Sequence, residues 1–147
     1  MKNVLIIYYS QSGQLKEAVE TAFSVFKNDE EVSLTYYNIE MEKQFPFPWP
    51  ATDFFDAFPE SFKQIPASIL KPSTSILNTK FDLVILAYQV WYLSPSIPIN
   101  SFLKSEYAKT MLQNTPVITL SGSRNMWIMA QEKIKDLLKQ NQAKLVG

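Results

Sequence analysis

The sequence contains no cysteine and no histidine. Without cysteine the chain has no disulfide, no thiolate nucleophile and no thiolate metal ligand. Without histidine it lacks the base of a Ser-His triad and the commonest zinc ligand, so we expect no metal site. If this domain catalyses a reaction, a bound cofactor has to supply the reactive group.

An excess of charge of one sign and long apolar runs are also missing. The 14 basic and 14 acidic residues give a formal net charge of zero, and the absence of a basic cluster argues against a nucleic-acid surface. The apolar run at the N-terminus is far too short to span a membrane or to form the core of a signal peptide. We therefore expect a cytoplasmic protein without a membrane span.

Glycine is scarce, with three residues in 147. Gly13 and Gly122 each follow a predicted strand, which suggests that both lie in turns with a function. The chain has the length of one ordinary domain, and 46% of its residues are hydrophobic, which suffices for a core. We expect a single domain over residues 1–147.

The N-terminal stretch has the pattern of a strand, a turn and a helix. Residues 4–7 form an apolar run that is too short for a helix and typical of a strand buried on both faces. Apolar residues then recur on one stripe of an amphipathic helix: Leu15, Val19, Ala22, Phe23 and Phe26. Together they predict the first half of a βαβ unit.

The turn of this unit is the predicted ligand site. The first N–H groups of the helix point above the carboxyl end of the strand, where the helix dipole favours negative charge. The turn contains no lysine or arginine, so N–H and O–H donors would bind a phosphate monoester. An ordinary helix N-cap with a turn glycine is the alternative interpretation. The residues assigned to the phosphate are Ser10, Gln11, Ser12, Gly13, Gln14 and Leu15.

Strands and helices alternate along the rest of the chain. The periodicity predicts strands over residues 32–38, 81–88 and 116–120, and helices over 98–103 and 126–138. Residues 106–112 are predicted to form a further helix or to continue the one over 98–103. The last helix is expected to face inward with Met126, Met129, Ala130, Ile134, Leu137 and Leu138. The aromatic and proline-rich stretch 40–80 is expected to hold short helices from Thr52 and Pro59, and to pack on the sheet rather than line a hydrophobic site.

This α/β alternation predicts a three-layer sandwich around a parallel sheet of strand order 2-1-3-4-5. Ligands of such a sheet bind beyond the carboxyl ends of the strands, at the switch point between strands one and three. Residues 143–147 open a fifth strand that looks truncated, so we expect the domain to be the N-terminal part of a longer protein or to have a partner. An unpaired edge also favours association, for example as a homodimer.

Three predicted loops lie at that edge of the sheet. Residues 10–15 offer phosphate donors, 89–94 two aromatic rings, and 121–125 a glycine turn with an arginine. These features match the phosphate, the flat ring system and the polar pyrimidine edge of flavin mononucleotide (FMN). A dinucleotide site needs Gly-x-Gly-x-x-Gly and a triphosphate site needs Gly-Lys-Ser/Thr, and neither motif occurs in this chain. A receiver domain needs acidic residues directly after strand one, and this chain has none there.

Residues 8–14, 91–96 and 121–127 carry a resemblance to known proteins. Their sequences, Tyr-Tyr-Ser-Gln-Ser-Gly-Gln, Trp-Tyr-Leu-Ser-Pro-Ser and Ser-Gly-Ser-Arg-Asn-Met-Trp, are similar to the flavodoxin-like superfamily. Within it the chain most resembles dialkylresorcinol condensing enzymes and NAD(P)H-dependent FMN oxidoreductase-type proteins. The resemblance implies noncovalent FMN. By position it assigns the border of the flavin ring to Gln89, Val90, Trp91, Tyr92 and Leu93, and the ring edge to Ser121, Gly122, Ser123, Arg124 and Asn125.

The resemblance also implies an FMN-dependent oxidoreductase, with a role in dialkylresorcinol-type lipid biosynthesis beside a partner ketosynthase. NAD(P)H or a small apolar ring substrate would give the hydride. Arg124, unless it is a surface residue without a role, or the N–H groups near Gly122 would stabilise negative charge at the ring edge. Trp91 or Tyr92 would stack on the ring. Two alternatives stay open: an electron carrier, although such carriers usually dock through acidic faces, and a non-catalytic interaction domain.

Overall fold

The computed structural model describes residues 1–45, 52, 59, 62–123 and 127–147. The strands in these residues are β1 (Lys2–Tyr8), β2 (Val32–Asn38), β3 (Leu83–Trp91), β4 (Ser94–Pro95), β5 (Pro116–Gly122) and β6 (Lys144–Leu145). The helices are α1 (Gln14–Ala22), followed by a 3-10 turn (Ser24–Phe26), α2 (Thr74–Asn78), α3 (Ile97–Leu103), α4 (Glu106–Leu112) and α5 (Ile128–Gln140).

The strands form one sheet of order β2-β1-β3-β5-β6, and β4 pairs with β3 alone. Every pair along this path is parallel, whereas β4 is antiparallel to β3. Counted without β4, the path is the predicted order 2-1-3-4-5, which is thereby confirmed. The chain continues beside β5 after β6, because Val146 N–H donates to the Val117 carbonyl at 2.9 Å.

Helices cover both faces of the sheet, as a three-layer sandwich requires. Leu15 and Val19 of α1 pack on one face, in a cluster with alternate residues of β1 and β3. Helices α3, α4 and α5 contribute their buried residues to a second and larger cluster on the other face. The strands between these layers are apolar on both faces, which is why their sequences are continuous apolar runs.

Two helices differ from their predicted bounds. Helix α1 ends at Ala22, which is exposed, and the 3-10 turn after it brings Phe26 to the surface, so the predicted inward positions of Ala22 and Phe26 are wrong. In α5 four predicted residues are buried (Ala130, Ile134, Leu137 and Leu138), whereas Met129 is exposed. Met126 and most of the helices predicted from Thr52 and Pro59 lie outside the described residues.

Helix α3 is buried on all sides. Residues 62–67, here called the strap, run across it and are held by polar side chains. Lys104 Nζ donates to the Gln64 carbonyl at 2.6 Å, and the Ser101 hydroxyl accepts from Ala67 N–H at 2.8 Å. Ser101 is buried, and its hydroxyl also donates to the Ile97 carbonyl at 2.6 Å, so both its donor and its acceptor capacity are used.

The buried phenol of Tyr37 predicts how the substitution Tyr37→Phe changes stability. Its ring lies edge to face against Phe102, and its hydroxyl has no hydrogen-bond partner in the part of the chain that the structure describes. Tyr37→Phe removes that desolvated hydroxyl, so the free energy of unfolding at neutral pH should stay level or rise by up to about 1 kcal/mol. Urea denaturation measures it, and a clear loss would show that the hydroxyl is satisfied.

The same substitution has a pH dependence of known sign. Burial, and then the charge of Glu40, raise the pKa of Tyr37 above its usual value. The folded state therefore holds this proton more tightly than the unfolded chain does. The contribution of this proton to the free energy of unfolding is fully present below about pH 10, the pKa of a free phenol, and is lost as the pH rises further. Tyr37→Phe should lose less stability than the parent above that pH.

Candidate functional site

The carboxyl ends of β1, β3 and β5 meet around Gly122. Gln89 of β3 lies opposite Gly122 in the strand register. A β-carbon built on Gly122 would lie 3.6 Å from Leu15 Cδ1 and 3.8 Å from Gln89 Cγ. One residue from each of the three predicted loops thus lies at this point. The fold brings the three loops together at the switch point between β1 and β3.

The loop between β1 and α1 turns several backbone N–H groups toward its own hydroxyls. Ser10 Oγ accepts from Gly13 N–H at 3.1 Å and from Lys16 N–H at 3.2 Å. Ser12 Oγ accepts from Gln14 N–H at 3.4 Å. These are the donors that a helix N-terminus offers to an anion. The Ser10 hydroxyl oxygen is the acceptor for two of them.

The structure adds two details to this loop. The Leu15 side chain is buried in the core with Val19, as its place on the apolar stripe of α1 predicts, so a ligand contact by Leu15 stays a prediction for its backbone. The donor of Lys16 lies one residue beyond the predicted loop. Of the other assigned residues, Ser12 and Gln14 are exposed, and Gln11 is partly buried.

Ser10→Ala tests whether the Ser10 hydroxyl organises this loop. The change leaves the N–H groups of Gly13 and Lys16 without their acceptor, and loss of such a cap costs about 1 kcal/mol of the free energy of unfolding. Ser12→Ala is the matched control, since its single longer bond should contribute less. Urea denaturation measures both. Equal stability of the two variants would contradict this role for Ser10.

The predicted loop at residues 89–94 is instead a β-hairpin. Strand β3 continues to Trp91, and Ser94 pairs with Trp91 across a two-residue turn. The turn residues Tyr92 and Leu93 both have left-handed backbones, with φ of 53° and 62°. This geometry is that of a type I′ turn, which usually contains asparagine or glycine. Tyr92 and Leu93 therefore form the tip of a β-hairpin rather than part of an open loop.

Trp91 lies in an aromatic cluster with Tyr9 and Phe45. Its ring is edge to face with Tyr9, at 6.3 Å between centroids, and with Phe45, at 5.4 Å. Trp91 thus links the ends of β1 and β3 to the segment after β2. Tyr92 is partly exposed at the hairpin tip. Burial raises the pKa of the phenols of Tyr9 and Tyr92, so both are neutral at pH 7.

The third predicted loop begins later than expected. Ser121 and Gly122 are the last residues of β5, and Ser123 follows them. Gly122 lies in a strand and not in a turn, because β5 extends two residues beyond its predicted end to pair with Gln89. Arg124 and Asn125 lie outside the described residues.

A cavity of about 540 Å³ adjoins the first loop on its β2 side. Its described walls are Tyr9, Ser10, Gln11, Asn38, Ile39, Glu40, Met41, Gln44 and Phe45. The carboxylate of Glu40 and the absence of a cation among these residues disfavour an anion in it. Amide and hydroxyl groups suit a neutral group with several hydroxyls.

Residues 1–45, 52, 59, 62–123 and 127–147 contain no group of three or more carboxylates placed to hold a metal ion. No helix within those ranges combines the length and the apolar character needed to cross a bilayer.

No family model and no curated protein match this chain, whereas solved structures do. A flavoprotein from Lactobacillus acidophilus in complex with FMN has 19% identity and a TM-score of 0.71, over 100% of this chain and 91% of that one. A Fusobacterium nucleatum flavodoxin bound to FMN has 14% identity and a TM-score of 0.57, over 100% and 70%. The NAD(P)H:(acceptor) oxidoreductase FerB of Paracoccus denitrificans has 12% identity and a TM-score of 0.58, over 100% and 76%. The fold is flavodoxin-like.

Proposed function

We propose that this flavodoxin-like chain binds FMN noncovalently at the carboxyl edge of its sheet and acts as an FMN-dependent oxidoreductase. The observation that carries the proposal is that side-chain atoms of Leu15 and Gln89 both lie within 4 Å of a β-carbon built on Gly122. Each belongs to a loop that was assigned to a different part of the cofactor. Structural neighbours named as FMN complexes and as an NAD(P)H:(acceptor) oxidoreductase support it.

The donors of the first loop fit a phosphate monoester. The N–H groups of Gly13, Gln14 and Lys16 already converge on hydroxyl oxygens of the chain, and an incoming phosphate would replace those oxygens as acceptor. The hydroxyls of Ser10 and Ser12 are then released to donate to the phosphate. No cationic side chain is needed in the loop, because the helix N-terminus supplies partial positive charge.

The other two loops would contact the flavin ring. The residues proposed at its faces are Gln89, Val90, Trp91, Tyr92 and Leu93, and those at its polar edge are Ser121, Gly122 and Ser123. Arg124 and Asn125 are proposed there from the sequence alone. When bound, FMN supplies reversible hydride acceptance. The chain's own contribution is to orient the ring and, through Arg124 or nearby N–H groups, to stabilise negative charge at the ring edge.

Titration with FMN tests the proposal. Binding should quench flavin fluorescence and shift the visible absorption bands. Riboflavin, which has the same ring and no phosphate, should bind more weakly if the first loop holds the phosphate. A parent protein that leaves the fluorescence of added FMN unchanged would contradict the proposal and favour a non-catalytic interaction domain.

The choice between enzyme and electron carrier depends on the electron donor. The net charge of zero disfavours a carrier that docks through an acidic face. An enzyme should be reduced directly by NADH or NADPH, and bleaching of the flavin band in an anaerobic mixture would show it. Failure with both nicotinamides, together with rapid reduction by a one-electron donor, would favour the carrier.

The narrower proposal is a role in dialkylresorcinol-type biosynthesis. It rests on the resemblance of residues 91–96 and 121–127 to those enzymes. The FMN-loaded protein would oxidise a cyclic dione, made by a partner ketosynthase, to the aromatic ring. Anaerobic mixing with an alkylated cyclohexane dione should bleach the flavin band and yield the resorcinol. If neither the bleaching nor the resorcinol is observed, this narrower role is contradicted, whereas the proposal of FMN binding is not affected.

A further inference from the structure

We propose that Lys133 of α5 is a positioning residue that fixes the hairpin tip, residues 91–94, against the flavin ring. The inference rests on the proposed function, since it concerns the same site. Lys133 is 39 residues from the hairpin in sequence, yet its Nζ donates to Ser94 Oγ at 2.7 Å. Ser94 is fully buried.

The hairpin needs support from outside. Tyr92 and Leu93 have left-handed backbones, which cost about 1–2 kcal/mol for each residue other than glycine. The pairing between β3 and β4 covers only two residue pairs, and the hairpin is closed beyond them by the bond from Ser96 N–H to the Gln89 carbonyl, at 2.9 Å. A short hairpin with a strained tip is marginal by itself.

Lys133 supplies this support by joining three elements. Its Nζ also donates to the Phe62 carbonyl of the strap at 3.4 Å and lies 4.8 Å from the centroid of the Phe62 ring. The ammonium group thus connects α5, the strap and the Ser94 side chain. Partial burial among these contacts lowers the pKa of Lys133 from its usual value.

The chain offers matched variants for a test. Lys133→Met keeps the length and apolar stem of the side chain and removes its donors. Lys133→Arg keeps a cation of similar reach. Ser94→Ala removes the acceptor from the other side. Lys135→Met is the control, because Lys135 lies on the same helix, is exposed and contacts only Glu132 among the contacts described, at 3.0 Å.

The affinities of FMN and riboflavin should both be measured for each variant. Lys133→Met should weaken both by about tenfold, as expected for a lost hydrogen bond to a charged group, and should leave their ratio unchanged. Lys133→Arg should stay within about threefold of the parent. Ser94→Ala should weaken both ligands, and adding it to Lys133→Met should cause little further loss, because the two changes remove one interaction. The visible circular dichroism of bound flavin should change in the same variants.

The outcomes separate this inference from the proposed function. A parent that binds neither FMN nor riboflavin overturns both. A parent that binds flavin while Lys133→Met matches Lys135→Met overturns only the role of Lys133. Weakening of FMN without weakening of riboflavin would also overturn it, since the effect would then lie at the phosphate. If Lys133→Met is poorly folded, Ser94→Ala with the same two ligands decides between these outcomes.

Discussion

Replacement of Phe102 by alanine is expected to remove about 3–5 kcal/mol from the free energy of unfolding. The ring is fully buried and contacts Tyr37 edge to face, at 5.8 Å between centroids. It also belongs to α3, in which every residue is buried. No exposed side chain of this helix can therefore move in to fill the cavity that the ring would leave. Domains are stable by only about 5–15 kcal/mol, so the variant should be close to unfolding. Urea denaturation followed by far-UV circular dichroism measures the loss.

The control is the same substitution at Phe26, which is 39% exposed. Phe26→Ala should cost less than about 1 kcal/mol. FMN at a hundred times its dissociation constant raises the free energy of unfolding by only about 2.7 kcal/mol, so it should restore the stability of Phe102→Ala in part. If Phe102→Ala were as stable as Phe26→Ala, α3 would not belong to the cooperative core, and the hairpin that leads into it would lack its support.

Local periodicity in the sequence was sufficient to predict most of the fold. The bounds predicted for β2 and α4 agree with the observed Val32–Asn38 and Glu106–Leu112. The apolar runs of β1 and β3 identified these two strands because both are buried on both faces. The short α2 was missed: its N-cap Ser73 accepts from Ile76 N–H at 3.3 Å, but five residues carry too little periodicity to predict a helix.

The strand order around the candidate site was predicted correctly, whereas several of its side-chain contacts were not predicted. Parallel strand order alone brings the three loops to one edge, so their meeting followed from the fold class. The hairpin was missed because its turn residues, Tyr92 and Leu93, are not those that local rules associate with a type I′ turn. Its support by Lys133 is a tertiary contact, which no local pattern encodes. The burial of Leu15, by contrast, followed from its place on the apolar stripe of α1.

Replacement of Gly13 by valine is expected to weaken FMN binding by about 30-fold, or about 2 kcal/mol. Gly13 has φ of +90°, and nothing lies within 4 Å of a β-carbon built on it. The loss would therefore come from the backbone and not from crowding, because β-branched residues rarely adopt positive φ. If the loop of the free variant relaxes to another backbone conformation, FMN binding has to restore the strained one, and the strain lowers the affinity for FMN. If the loop cannot relax, the strain is present in the free fold and lowers the free energy of unfolding instead. Fluorescence titration and urea denaturation together measure the sum.

Gly13→Asn is the control that separates conformation from contact. Asparagine tolerates positive φ, so this variant should bind FMN within about threefold of the parent. Equal losses in both variants would indicate instead that the phosphate approaches the Gly13 backbone too closely for any side chain. Riboflavin affinity should be unchanged by Gly13→Val, whereas Lys133→Met should weaken riboflavin and FMN alike. A loss confined to FMN in Gly13→Val, and a loss of both ligands in Lys133→Met, would locate the phosphate at the first loop and the ring at the hairpin. Parental FMN affinity in Gly13→Val together with an unchanged free energy of unfolding would contradict a phosphate site in that loop.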